Sequence, residues 1–133
     1  VHALGTTVTR ATTAADTLKA ALYLASATVN AATTAYSATG EVSGAGYSAG
    51  GVTVTNATAP TTSGTTGYWT PSASITYTTV TLTTAFDCVL IYNSTQSNKA
   101  ISVHTFGSQT VTAGTFTLTM PTNDASNALI RIA

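Results

Sequence analysis

The stretch Ile75-Thr-Tyr-Thr-Thr-Val-Thr-Leu-Thr-Thr-Ala-Phe-Asp-Cys-Val-Leu-Ile-Tyr92 decides how this chain reads. Ile75 and Tyr77 alternate with threonines, the period that marks a strand with one buried face. Val80 and Leu82 continue the alternation on the opposite parity. The phase slips at Thr78-Thr79, which predicts a β-bulge or a strand that changes sheets. Cys88-Val-Leu-Ile-Tyr92 is then apolar throughout, as a central strand covered on both faces would be.

The same period runs outward from there. Leu18, Ala20, Leu22 and Leu24 alternate with Lys19, Ala21 and Tyr23. Val52 and Val54, Ile101 and Val103, and Phe116, Leu118 and Met120 each alternate with polar residues, and Ile130 and Ile132 flank Arg131. Turn-forming residues separate these runs: 56–67 with Pro60 and Gly64, Pro71, 93–98, Gly107, Gly114 and 121–127. About seven or eight short strands joined this way predict an all-β, single-domain antiparallel sandwich or barrel-like fold. At most one short helix fits. Leu18 and Leu22 suit a helical as well as a strand period, and strand is preferred from Leu18; residues 30–36 could make one or two turns capped by Asn30. Residues 1–15 hold few apolar anchors and are expected to form an extended arm, with the β-domain spanning 16–133.

Thirty-two of the 133 residues are Thr, and only 6% are charged, against about 25% in ordinary domains. Threonine favours strands and solvates a surface without adding charge. Arg10, Lys19, Lys99 and Arg131 are scattered and balanced by four acids. That argues against nucleic-acid binding, which needs clustered cations. A neutral, charge-poor surface suits a protein packed into an assembly. No apolar run is long enough for a membrane helix, and the first residues show no signal-peptide pattern. Cys88, the lone cysteine, reads as a buried small hydrophobe.

No catalytic constellation is visible. Asp16, Glu41, Asp87 and Asp124 are far apart in sequence, and His2 and His104 are the only histidines. A paired-acid site has no local support, and two histidines with one cysteine make a poor zinc set. His104, in the polar phase of its strand, reads as a surface or interface histidine. Tyr68-Trp69 before Pro71 supports two readings: aromatics covering one end of the core, or an interface anchor. No catalytic residue, metal, cofactor or small-molecule substrate is expected.

Residues 39–51, Thr-Gly-Glu-Val-Ser-Gly-Ala-Gly-Tyr-Ser-Ala-Gly-Gly, hold five of the ten glycines. Glycine at this density permits positive φ and close backbone approach, so the segment reads as a tightly folded loop feeding a strand. It lacks the Gly-Lys-Ser/Thr ending of a phosphate-binding loop.

The order of features along the chain adds a further reading. A strand Asp16-Thr-Leu-Lys-Ala-Ala-Leu22 comes first, then a short segment ending at Tyr36, then Glu41-Val-Ser-Gly-Ala-Gly-Tyr-Ser-Ala-Gly-Gly51. Tyr68-Trp69, Val89-Leu-Ile-Tyr92, Phe106-Gly107, Gly114-Thr-Phe-Thr117 and Ile130-Arg-Ile132 follow. In this order they resemble a family of small tailed-bacteriophage virion proteins, the glycine motif being the specific element. The chain departs from that family at Ala31-Ala-Thr-Thr34, where members are more acidic, and at Val52-Thr-Val54. The resemblance implies a non-enzymatic virion component: a capsid decoration or cement protein on the outer capsid surface. It would be a homotrimer stabilising the lattice of its partner, the major capsid protein. The alternative is a tail, baseplate or host-adhesion β-domain with Trp69 as a stacking platform. The arm could add a strand to an exposed capsid sheet edge. Leu4, Val8, Arg10, Glu41, Gly44, Gly46, Tyr47, Gly50, Gly51, Tyr68 and Trp69 are then the candidate capsid or subunit contacts.

Overall fold

The computed structural model describes residues 15–55 and 58–133. Leu4, Val8 and Arg10, and the expected arm apart from Ala15, lie outside the described residues. Seven strands follow one another: β1 (Leu18–Leu24), β2 (Val52–Thr53), β3 (Thr61–Ser63), β4 (Thr66–Trp69), β5 (Ile75–Asn93), β6 (Lys99–Leu118) and β7 (Ile130–Ile132). They form a four-stranded antiparallel sheet, β2-β1-β5-β6, and a three-stranded one, β3-β4-β7. The fold is all-β, as the alternation predicts, and no helix occurs among the described residues. Residues 30–36 make a turn instead, in which Asn30 Oδ1 accepts the Ala32 N–H and Thr33 N–H bonds the Asn30 carbonyl.

β1 and the second half of β5, residues 88–93, are buried on both faces, because two apolar clusters sandwich them, whereas residues 75–87 of β5 bury one face and expose threonines on the other. Leu18, Ala20, Leu22, Tyr77, Val80, Leu82, Phe86, Val89 and Ile91 face the main core, which Trp69 joins from the small sheet. Ala21, Tyr23, Cys88, Leu90 and Tyr92 face the second cluster, covered by Ala27, Val29 and Tyr36 of the segment after β1. Each large apolar side chain sealed this way contributes about 1.5–3 kcal/mol. This double cover is why Cys88–Tyr92 shows no alternation.

β5 and β6 are each one long strand, whereas the turn signals imply breaks at Gly107 and Gly114. Those glycines sit in β6 where its register with β5 shifts, so they accompany bulges. The slip at Thr78-Thr79 is likewise a bulge: Tyr77 pairs with Phe116 and Val80 with Gly114, and Thr79 takes φ 52. Of the expected turn over 56–67, the described part, 58–67, is also more than a turn. β3 and β4 form a hairpin there, with Gly64 at φ 57 in its two-residue loop.

Candidate functional site

The glycine motif joins β1 to β2 and closes two sheet edges on the way. Val42 N–H donates to the Leu22 carbonyl at 3.0 Å and Leu24 N–H to the Gly40 carbonyl at 2.9 Å, so residues 40–42 line the outer edge of β1. Ala45 then bridges to Thr81, whose N–H donates to the Ala45 carbonyl at 2.8 Å. That contact covers β5 beyond the reach of β1. Glycine is required where the backbones meet. A Cβ on Gly44 would lie 2.0 Å from the Thr81 carbonyl oxygen, and one on Gly46 2.1 Å from that of Thr79. Gly46 also has φ +78. Gly50 and Gly51, both at positive φ, return the chain to β1.

Glu41 organises this loop. Its Oε1 accepts the Tyr47 hydroxyl at 2.7 Å and the Gly50 N–H at 2.8 Å, and its Oε2 accepts the Tyr36 hydroxyl at 2.6 Å. Tyr47 accepts the Leu22 N–H at 3.0 Å, so its oxygen occupies the gap in the edge of β1 between β2 and residues 40–42. Tyr77 donates to the Ala20 carbonyl at 2.9 Å, and Tyr92 to the Gly50 carbonyl at 2.8 Å. Rings stack as well: Tyr36 on Tyr92 at 4.7 Å between centroids, and Tyr47 on Tyr77 at 5.9 Å. One carboxylate and four phenols thus tie the loop to both clusters. All three bonds to Glu41 are charge-assisted, the stronger class of hydrogen bond.

Burial holds the phenols of Tyr47 and Tyr77 well above their ordinary range; the hydrogen bond to Glu41 adds to this for Tyr47 and the Glu41 charge for Tyr77. An unfolded tyrosine ionises near about pH 10, so the neutral phenols stabilise the fold fully below that pH. Above it the unfolded chain releases protons that the folded chain retains, and stability falls by about 1.4 kcal/mol per pH unit for each such tyrosine. The urea midpoint is therefore expected to drop steeply above about pH 10, with tyrosinate absorbance rising together with unfolding. Absorbance that reaches the value for all six tyrosines while the fold persists would show that these phenols are open to solvent.

Of the candidate contacts, Glu41, Gly44, Gly46, Tyr47, Gly50 and Gly51 come together in this one loop. Tyr68 stands apart on β4, half-buried between Thr61 and Arg131 across the small sheet. Trp69 is 6% exposed and its indole N–H donates to the Thr58 carbonyl at 2.9 Å, which places it in the core. Tyr36, Tyr77 and Tyr92 complete the Glu41 cluster without having been singled out as contacts. The sequence signal for them is only that Tyr36 and Tyr47 bracket an isolated acid.

Three other ionisable groups, Asp16, Asp124 and His104, are also held by neighbouring side chains or amides. Asp16 accepts the Asn93 and Gln96 side-chain amides. Asp124 closes a turn; the Asn127 amide and the Ser126 and Asn127 N–H groups hold it below the usual carboxylate range. His104 bonds the Ser102 hydroxyl, and burial lowers its pKa. Burial pushes the Cys88 thiol up to about 11. Among the described residues no three His, Cys, Asp or Glu side chains group to hold a metal ion. Two open clefts, of about 390 and 450 Å³, are lined by hydroxyl, amide and apolar side chains. Compared with protein-family models, curated proteins and solved structures, the chain finds no match.

Proposed function

We propose that this chain is a non-enzymatic structural protein of a tailed-bacteriophage particle. In this reading it is a decoration protein that binds the outer capsid surface as a homotrimer and stabilises the major capsid protein lattice. The observation that carries this reading is the use made of the few ionisable groups. Glu41, Asp16 and Asp124 each accept several internal hydrogen bonds and serve the fold. What remains outside is a charge-poor, hydroxyl-rich surface, with Lys99 and Arg131 its exposed charges among the described residues, of the kind that loses little on burial against another protein. The segment that carries the family resemblance is also the segment that covers the edges of β1 and β5 on the side of the sheet away from β6, which accounts for its glycines by geometry. The alternative, a receptor-binding tail or baseplate domain, relied on Trp69 as a stacking platform, and that ring is buried.

Cryo-electron microscopy of the virion tests the proposal. Density for this fold is expected over the capsid at local threefold positions, in numbers set by the lattice. Density confined to the tail or its tip would overturn the capsid assignment and favour the adhesion reading.

A further inference from the structure

β6 ends the order β2-β1-β5-β6; residues 34–36 bridge its first residues, Ala35 to Lys99 with the Ala100 N–H donating to the Thr34 carbonyl, and beyond Ala100 that side of its backbone has no strand beside it among the described residues. Such an edge is a template for another strand. β6 runs over 20 residues, with Lys99 at its start and His104 as its only other ionisable side chain, and without proline. Charges and prolines are the usual means of blocking an edge. Bulges interrupt the ladder elsewhere, but from Ser102 to Thr105 β6 pairs in step with Ile91 to Cys88. Both faces there are only half covered: Ile101 and Phe106 pack on the main core and Val103 on the second cluster, and all three keep partial exposure.

The chain before β1 arrives beside this site. Ser94 N–H and Oγ–H donate to the Thr17 carbonyl, and Thr17 N–H donates to Thr95 Oγ1. With Asp16 held by Asn93 and Gln96, residues 16–17 are fastened to the tip of the β5–β6 hairpin, just where β6 begins. Fourteen residues precede Ala15. In an extended chain Leu4, Thr6 and Val8 share one face. Those apolar groups suit the half-covered flank of β6, and residues 8–14 can span up to about 25 Å.

We infer that residues 1–14 of one copy add a strand to the free edge of β6 in a neighbouring copy, around Ser102–Thr105. A chain approaching its own hairpin tip runs antiparallel to β6 and would have to reverse around a tip already filled by Asp16 and Thr17. Donation to the next copy needs no reversal. Each copy gives one arm and receives one, and such head-to-tail contacts can close into a ring. The inference rests on the oligomer part of the proposed function and names the next copy, in place of the capsid, as the partner of the arm. Self-association in free solution and binding to particles are measured separately, so either can fail alone.

The test is cysteine cross-linking of the full chain. Val8→Cys protein is mixed with a longer tagged chain carrying Thr105→Cys or Gln109→Cys on β6, or Thr62→Cys on β3 as control. Cys88 is buried, so the added thiols react alone. The expected product is a disulfide between chains of different length at a β6 position and none at β3. In the native-cysteine background, Leu4→Asp with Val8→Asp is expected to weaken self-association at least about tenfold, with an unchanged circular dichroism spectrum. Monomeric mass in light scattering, links no more frequent at β6 than at β3, or links confined to one chain when both cysteines share it would each overturn the inference.

Discussion

Gly51→Ala is expected to destabilise the protein by about 4 kcal/mol or to prevent folding. Two costs combine. The residue has φ +71, where an L side chain is strained, at about 1–2 kcal/mol. The added Cβ would also stand 1.7 Å from the Ala20 carbonyl oxygen, 2.4 Å from its carbon and 2.7 Å from the Ala21 Cα. Those atoms belong to β1, which is paired to β5 along its length and buried on both faces, so it cannot retreat. Gly64→Ala is the control. Gly64 has φ +57 but nothing within 4 Å of an added Cβ, so only the backbone cost applies, about 1 kcal/mol. Gly46→Val lies between them, because the Thr79 carbonyl it would strike belongs to an exposed bulge that can shift. Urea unfolding of the three variants gives the comparison. Equal losses at Gly51 and Gly64 would show that the close approach to Ala20 does not constrain the loop.

The same contrast shows what the sequence could and could not convey. β1 and β7 were legible because their apolar residues alternate, although β1 is covered on both faces and Ile132 stays exposed while Ile130 packs on the core. Cys88–Tyr92 was legible because a strand covered twice loses its alternation. β3 and β4 were not, because Thr-Thr-Ser-Gly-Thr-Thr-Gly offers no apolar rhythm; their pairing depends on Trp69 packing into the main core and on β7 arriving from the other end of the chain. Gly107 and Gly114 look like turns from composition, yet β6 absorbs them because β5 stays alongside through every register shift. The glycine loop was legible as a loop. Its inward purpose was not, since the partners of Glu41 and Tyr47 include Gly50 and the Leu22 N–H, and the second of these is fixed only once β1 lies beside the loop.

Glu41→Ala is expected to cost about 3 kcal/mol or more, while Glu41→Gln costs much less. Alanine leaves the Tyr36 and Tyr47 hydroxyls and the Gly50 N–H without their acceptor. The damage then spreads along the hydrogen bonds. A Tyr47 ring that shifts to find water withdraws its oxygen from the Leu22 N–H, opening the edge of β1 between β2 and residues 40–42. A Gly50 released from Glu41 loosens the carbonyl that accepts from Tyr92, and with it the Tyr36–Tyr92 stack. Glutamine keeps one carbonyl oxygen for Tyr47 and Gly50, and its amide can donate to Tyr36, whose hydroxyl is able to accept instead. Hydrogen exchange at Leu22 and Gly50 distinguishes this account from a general loss of stability. Both amides are expected to exchange early in the alanine variant at a urea concentration where the Leu90 and Ile91 amides of β5 remain protected. If alanine and glutamine prove equal, the carboxylate is not what holds the loop. If all four amides open together, the loop and sheet form one cooperative unit, and the edges of β1 and β5 would depend on burial more than on Glu41.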